Sequence, residues 1–160
     1  MVIISMQSAY EFSNFDISIS RDGSGRMAVS SSSDSLFEFS RRPPPVTYRR
    51  RLFRAFDSGT IALDWLTYLD VVEGPSGIID GSAVRKGDKT PIVIVIPGLT
   101  SDSTAAYVKH RAFNMARQGW SVVVCNHRGL GGVSLTSDCC YNAGWTEDVR
   151  KIIDHIRCVS

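Results

Sequence analysis

The stretch TPIVIVIPGLTSDSTAAYVKHRAFNMARQGWSVVVCNHRGLGG, residues 90–132, decides the fold. Ile92 to Ile96 is an unbroken β-branched run, the pattern of a strand buried on both faces within a parallel sheet covered by helices. Gly98 breaks the run. From Thr104 to Gln118 the apolar residues Val108, Ala112, Met115 and Ala116 fall on one helical face, and Gly119 is placed as the C′ residue that ends the helix. Val122, Val123 and Val124 form a second buried strand. Strand, helix and strand within about 35 residues make a βαβ unit with a right-handed crossover, so the chain is expected to be α/β.

Upstream, TYRRRLFRAF (47–56) and TIALDWL (60–66) are strand-like runs around Asp57-Ser58-Gly59, a turn cluster whose glycine can take positive φ. This predicts a β-hairpin. Thr67 to Thr90, with Gly74-Pro75-Ser76-Gly77, Asp80-Gly81 and Gly87-Asp88, reads as a long mobile surface loop. Downstream of Gly129 to Gly132, Thr146 is positioned to cap a helix with Glu147 and Asp148 in its first turn, where the dipole favours them. Val149, Ile152, Ile153 and Ile156 would be its buried face. Residues 1–46 are rich in Ser and Gly, with Ser30 to Ser33 and Pro43-Pro44-Pro45, and predict a mostly disordered leader before a folded unit over 47–160. The alternating FDISIS, Phe15 to Ser20, leaves a short strand there as the alternative.

The chain has 160 residues, 43% hydrophobic and 21% charged, which fits one globular domain and excludes two full ones, wholesale disorder and a fibrous class. A formal charge of +2 is too small for the field of the whole molecule to capture nucleic acid or membrane. The longest apolar run, Pro91 to Leu99, falls well short of the roughly 18 residues of a membrane span, and no targeting signal is readable. A cytoplasmic location is expected, with peripheral membrane association as the alternative. Cys125, Cys139, Cys140 and Cys158 show no CxxC spacing and read as reduced thiols; neither a metal site nor a cofactor is expected.

Pro97-Gly98-Leu99-Thr100 leaves the C-terminal end of a central strand and enters a helix, the place where open α/β sheets hold ligands. Backbone N–H groups there suit either a phosphate or the oxyanion of a tetrahedral intermediate. GLTSDS carries neither GxGxxG nor GxxxxGK[ST], which removes the dinucleotide and P-loop readings; an ordinary strand-to-helix turn stays open. Asn126-His127-Arg128-Gly129 ends the second strand at the same edge and is expected to place polar groups on its rim. His127 there has no acidic partner in sequence and reads as structural rather than as an acid or base. His110 falls inside a helix pattern at the border of the core, and His155 lies on a polar helix face beside Asp154. Arg41, Arg42, Arg49, Arg50, Arg51 and Arg54 form a cluster that is either an anionic-partner site or the wet face of the first strand, the second reading being favoured.

Together GTIALDWL (59–66), residues 90–110, GWSVVVCNHRGLGGVSLTS (119–137) and YNAGWTEDVRKIIDHI (141–156) resemble the plant-type embryogenesis-associated-protein-like branch of the α/β-hydrolases, close to the α/β-hydrolase domain-containing esterases and phospholipases. The resemblance implies an α/β-hydrolase fold and a serine hydrolase with Ser, Asp and His in that chain order, acting on carboxylic esters such as acylglycerols or phospholipids. It assigns the oxyanion donor to the Leu99 N–H, with Gly98 permitting the turn. The family's GxSxG elbow lies on a strand beyond the helix ending near Arg157; neither Gly74-Pro75-Ser76-Gly77-Ile78 nor Gly132-Val133-Ser134-Leu135-Thr136 supplies one. The expectation is therefore an incomplete, N-terminal portion of the fold without a catalytic triad, inactive alone or else a noncatalytic interaction or regulatory fragment. In the family's order the nucleophile strand pairs beside Ile92 to Ile96, so that apolar strand is expected to be a bare edge prone to self-association and marginal stability.

Overall fold

The computed structural model describes residues 2–5, 20–21, 27–28, 43–73, 90–140 and 146–159. Strand β1 (Val2–Ser5) comes first, followed by the two-residue strands β2 (Ser20–Arg21) and β3 (Met27–Ala28), which pair with each other. Then come β4 (Arg49–Arg54), β5 (Thr60–Leu66), helix α1 (Tyr68–Val72), β6 (Ile92–Ile96), α2 (Ala106–Arg117), β7 (Ser121–Cys125) and α3 (Glu147–Val159). The main sheet has the order β1-β6-β7-β5-β4. β1, β6 and β7 run parallel, and β7, β5 and β4 alternate in direction, so the sheet is mixed.

Strand alternation divides the core into two layers. On one face Leu66, Val93, Val95, Val122 and Val124 meet Val108, Ala112, Met115 and Ala116 of α2. On the other, Ile61, Leu63, Trp65, Ile94, Val123 and Cys125 meet Ile152 and Ile156 of α3. β6 throughout and β7 from Val122 onward are apolar because helices cover both of their faces. Each fully buried Val, Leu or Ile contributes about 1.5–3 kcal/mol by leaving water, so these two strands anchor the unit. Burial pushes the Cys125 thiol up to about 12, an inert group.

The βαβ unit and the hairpin appear where they are expected. α2 starts two residues late because Asp102 makes a turn ahead of it, accepting from the Thr104 N–H at 2.8 Å and the Thr104 hydroxyl at 2.6 Å. Gly119 has φ +85° as its C′ role requires. Three expectations are corrected. The start of the expected loop is α1, held by Thr67 and Asp70: the Thr67 N–H donates to the Asp70 carboxylate at 2.8 Å and its hydroxyl at 2.7 Å. Residues 74–89 of that loop lie outside the described residues. Within the leader, β1, β2 and β3 are strands, and most of FDISIS lies outside the described residues. β6 is not a bare edge, because β1 pairs along it in parallel register from Val2↔Val93 to Ser5↔Ile96.

The hairpin turn adds a further difference. Ser58, not Gly59, takes the left-handed conformation at φ 66°. Gly59 is required for a different reason: a Cβ there would lie 2.8 Å from Arg128 Cζ and 3.0 Å from Ser137 Oγ. Arg128 cannot swing away, because its guanidinium is only 2% exposed and fixed between two carboxylates. Gly59→Ala is expected to lower the urea-unfolding free energy by about 1–3 kcal/mol through overpacking, whereas Ser58→Gly, which relieves the left-handed backbone, should cost less than about 0.5 kcal/mol.

Candidate functional site

β6 and β7 are parallel neighbours, so their C-terminal ends open side by side and bring Pro97–Thr100 next to Asn126–Arg128. The turn after β6 closes with the Ser101 N–H donating to the Gly98 carbonyl at 2.9 Å. Pro97 and Gly98 are buried, and Leu99 is 52% exposed. The Gly98 N–H donates to the Tyr107 hydroxyl of α2 at 3.1 Å. The Leu99 N–H has no hydrogen-bond partner among the described residues and stands at the sheet edge. His127 Nε2 lies 2.9 Å from the Pro97 carbonyl, so the neutral ring donates its Nε2–H and pins the strand end. Burial lowers the His127 pKa against the opposing effect of that hydrogen bond, which keeps the ring neutral at pH 7. Its structural reading is the one the geometry supports.

The polar rim is corrected, since Asn126 and Arg128 turn inward and are 2% and 5% exposed. Beneath the turn lies a buried carboxylate, Asp64 of β5, 1% exposed. Arg50 of β4 grips it through two bonds of 2.7 Å from Nε and Nη2, and its Nη1 donates to the Gly131 carbonyl at 2.5 Å. The Ser103 hydroxyl donates to Asp64 Oδ2 at 2.5 Å, and Asn126 Nδ2 donates to the same oxygen at 2.8 Å. Asn126 Oδ1 then accepts the Ser103 N–H at 2.8 Å. Burial pulls the Asp64 carboxyl up, but the bonds from Arg50, Ser103 and Asn126 together outweigh it and hold it below its ordinary range. Gly131, at φ +68°, passes so close that a Cβ would lie 2.8 Å from Asn126 Cγ. Two strands, the loop ahead of α2 and the glycine-rich loop after β7 thus converge on one anion.

A second buried charge is Arg128. Its Nε and Nη2 donate to Asp148 of α3 at 2.6 and 2.7 Å, and its Nη1 donates to Asp57 of the hairpin turn and, at 2.9 Å, to Ser137 Oγ. The Arg128 bond holds Asp57 at a pKa of about 2. Of the arginine cluster, Arg49 is paired with Asp70 at 2.9 Å and Arg50 with Asp64, while Arg41 and Arg42 lie outside the described residues. His155 is exposed and lies against the Phe53 ring at 5.2 Å.

Ser103 and Asp64 are a close, buried serine–carboxylate pair, and among the described residues no imidazole bonds the hydroxyl as the base of an activated serine would. Among the described residues no group of three His, Cys, Asp or Glu side chains is placed to hold a metal ion, and no helix is long and apolar enough to cross a membrane. What the arrangement offers is a strand end tied down by His127 and Tyr107, with the Leu99 N–H lacking a hydrogen-bond partner among the described residues. Asp64, Arg50, Ser103 and Asn126 escape a reading by periodicity; the available signal is a lone acid between Leu63 and Trp65 in an otherwise apolar strand.

The chain is similar to embryogenesis-associated protein EMB8 of Picea glauca, 32% identical over 118 residues, which are 74% of this chain and 24% of that protein. It is 32% identical over 113 residues to phospholipase ABHD3 of Mus musculus, 71% of this chain and 25% of the relative. Against monoacylglycerol lipase of Saccharomyces cerevisiae the identity is 29% over 79 residues, 49% of this chain and 18% of the lipase. The chain therefore spans about a quarter of the length of the first two of these relatives. No family model and no solved structure matches it.

Removing the negative charge at Asp64 strands Arg50 beside a neutral partner. Asp64→Asn is expected to destabilise the fold by about 3 kcal/mol, at the low end for a broken buried pair because Arg50 is 39% exposed. The Asp64 pKa is depressed on folding, so its contribution is complete above the ordinary value of 3.8 and is lost as pH falls through the lower native value. Circular dichroism of urea unfolding between pH 5 and 2 should show stability falling toward acid in the wild type and a flatter profile in Asp64→Asn.

Proposed function

Because the chain belongs to the α/β-hydrolase-like family of the embryogenesis-associated and abhydrolase-domain proteins, we propose that it carries the oxyanion-binding side of a serine hydrolase that cleaves carboxylic esters of lipids. The observation carrying this reading is the Leu99 N–H, which has no partner among the described residues and stands at the C-terminal end of β6, while the neighbouring Gly98 N–H is satisfied. In acyl transfer, serine attack on an ester carbonyl gives a tetrahedral intermediate. A preorganised N–H aimed at its negative oxygen lowers the barrier because no dipole has to reorient. His127 and Tyr107 position the turn from two sides, and the Asp64 cluster fixes the loop behind it.

The relatives named a phospholipase and a monoacylglycerol lipase support an acyl ester of a glycerol-based lipid as substrate, and the exposed Leu99 side chain adds apolar surface beside the N–H for an acyl chain. Such a substrate is reached at a membrane surface from the cytoplasm. The 160 residues contain no GxSxG, so in this reading they turn over no ester alone. The second reading is a noncatalytic regulatory portion. It draws on β1, which covers the β6 edge that the family's nucleophile strand would take.

Treated with a fluorophosphonate probe, the purified chain is expected to carry no serine adduct and to hydrolyse p-nitrophenyl butyrate no faster than buffer; labelling of any serine defeats this part of the reading. Exchanged for the aligned stretch of the mouse phospholipase, residues 47–159 should sustain hydrolysis. Leu99→Pro in that chimera, which deletes the N–H, should lower kcat by about 10²–10³ with KM little changed, and Thr100→Pro should not. Equal kcat in the two would remove Leu99 from the oxyanion role.

A further inference from the structure

The two sides of the sheet are protected in different ways. β4, at one edge, carries Arg51 and Arg54 beside the ion-paired Arg49 and Arg50, so another sheet approaching it meets charged side chains. On the other side β6 reads IVIVI, with no charge, proline or glycine to discourage pairing. Among the described residues its outer backbone is covered by β1 alone, VIIS, which has β6 as its one neighbour in the sheet. Both partners are uncharged and β-branched, which favours extended pairing.

The covalent path to this cover is long. Val2 pairs with Val93, so holding β1 on its own β6 closes a loop of about 90 residues, whose entropic cost grows with the logarithm of its length. About 43 residues lie between Ser5 and Arg49, a length that reaches on the order of 140 Å when extended, well past the surface of a molecule this size. Pairing with a neighbour therefore competes with pairing within one chain as protein concentration approaches the effective concentration of the tether, on the order of millimolar, and concentration decides between them.

We propose that the outer edge of β6 is a strand-acceptor site that takes residues 2–5 of a second copy of this chain, giving a reciprocally exchanged dimer. Each β6 receives the other chain's Val2–Ser5 in the same parallel register. The exchange is self-complementary and closes at two subunits, with no open strand left to propagate. The arginines of β4 keep the opposite edge out of the association. No residue of the Pro97–Thr100 turn takes part, but the exchange uses the β6 edge that a nucleophile strand would take in the hydrolase reading, so the two exclude each other at that edge.

The test uses disulfide trapping in a background with Cys139, Cys140 and Cys158 replaced by serine. The Val2↔Val93 register brings those two Cα atoms into the range a disulfide bridges. A chain carrying both Val2→Cys and Val93→Cys is expected to cross-link within itself at low concentration. Mixing a Val2→Cys chain with a Val93→Cys chain, incubating and then oxidising, should give a disulfide-linked dimer whose fraction falls on tenfold dilution before oxidation. Ser5→Cys mixed with Val93→Cys, three residues out of register, should give at least fivefold less. The proposal is overturned if the double variant links internally and the mixture gives no dimer. It is equally overturned if the double variant fails to link, which removes the acceptor pairing, or if the out-of-register mixture links as well as the matched one.

Discussion

An ionised carboxylate enclosed by protein has to be satisfied on every side, and Asp64 imposes that condition on the whole unit. It accepts from Arg50 on β4, from Ser103 ahead of α2 and from Asn126 at the end of β7, so the hairpin, the crossover helix and the central strand cannot shift independently. A charge buried this deeply is costly unless all its lone pairs are engaged. The same demand that makes the site rigid also forbids partial assembly, since any missing element leaves the anion short of donors. The turn after β6 inherits its definition from this arrangement, because Ser103 is bound through both its hydroxyl and its N–H.

Arg128 plays the complementary part on the periphery. Its guanidinium joins the tip of the β4–β5 hairpin to the first turn of α3 through Asp57 and Asp148, which are far apart in sequence. The first-turn acids of α3 had seemed sufficiently explained by the helix dipole. Asp148 serves the dipole and the guanidinium at once, while Glu147 keeps the dipole role alone.

What the sequence discloses and what it hides divide along a physical line. The β-branched runs of β6 and β7 and the apolar spacing of α2 and α3 are statements about burial, which is local and periodic, and they locate the layers with only one- or two-residue errors at the ends. The polar clusters depend on contacts between residues tens of positions apart, such as Arg50 with Asp64 and Gly131, which no periodicity encodes. Gly59 is instructive because its glycine was anticipated for backbone conformation and is required for close approach. The helix α1 was legible in principle, since Thr67-Tyr68-Leu69-Asp70 is a capping-box pattern, but five residues are too few for a hydrophobic stripe to emerge. At the site, the position of Pro97–Thr100 followed from strand order, whereas the occupation of the Gly98 N–H by Tyr107 depended on a side chain one helix away.

The parallel pairing of β1 with β6 has a consequence in time. Val93 is synthesised about 90 residues after its partner Val2, which at translation rates of 5–20 residues per second is roughly 5–20 s. Throughout that interval the strand exists without its acceptor. When β6 does emerge, the pairing that completes the sheet is among the most non-local in the molecule and so among the slowest to form. Strand β1 is thus made well before its acceptor and, among the described strands, has to wait for one of the most distant partners.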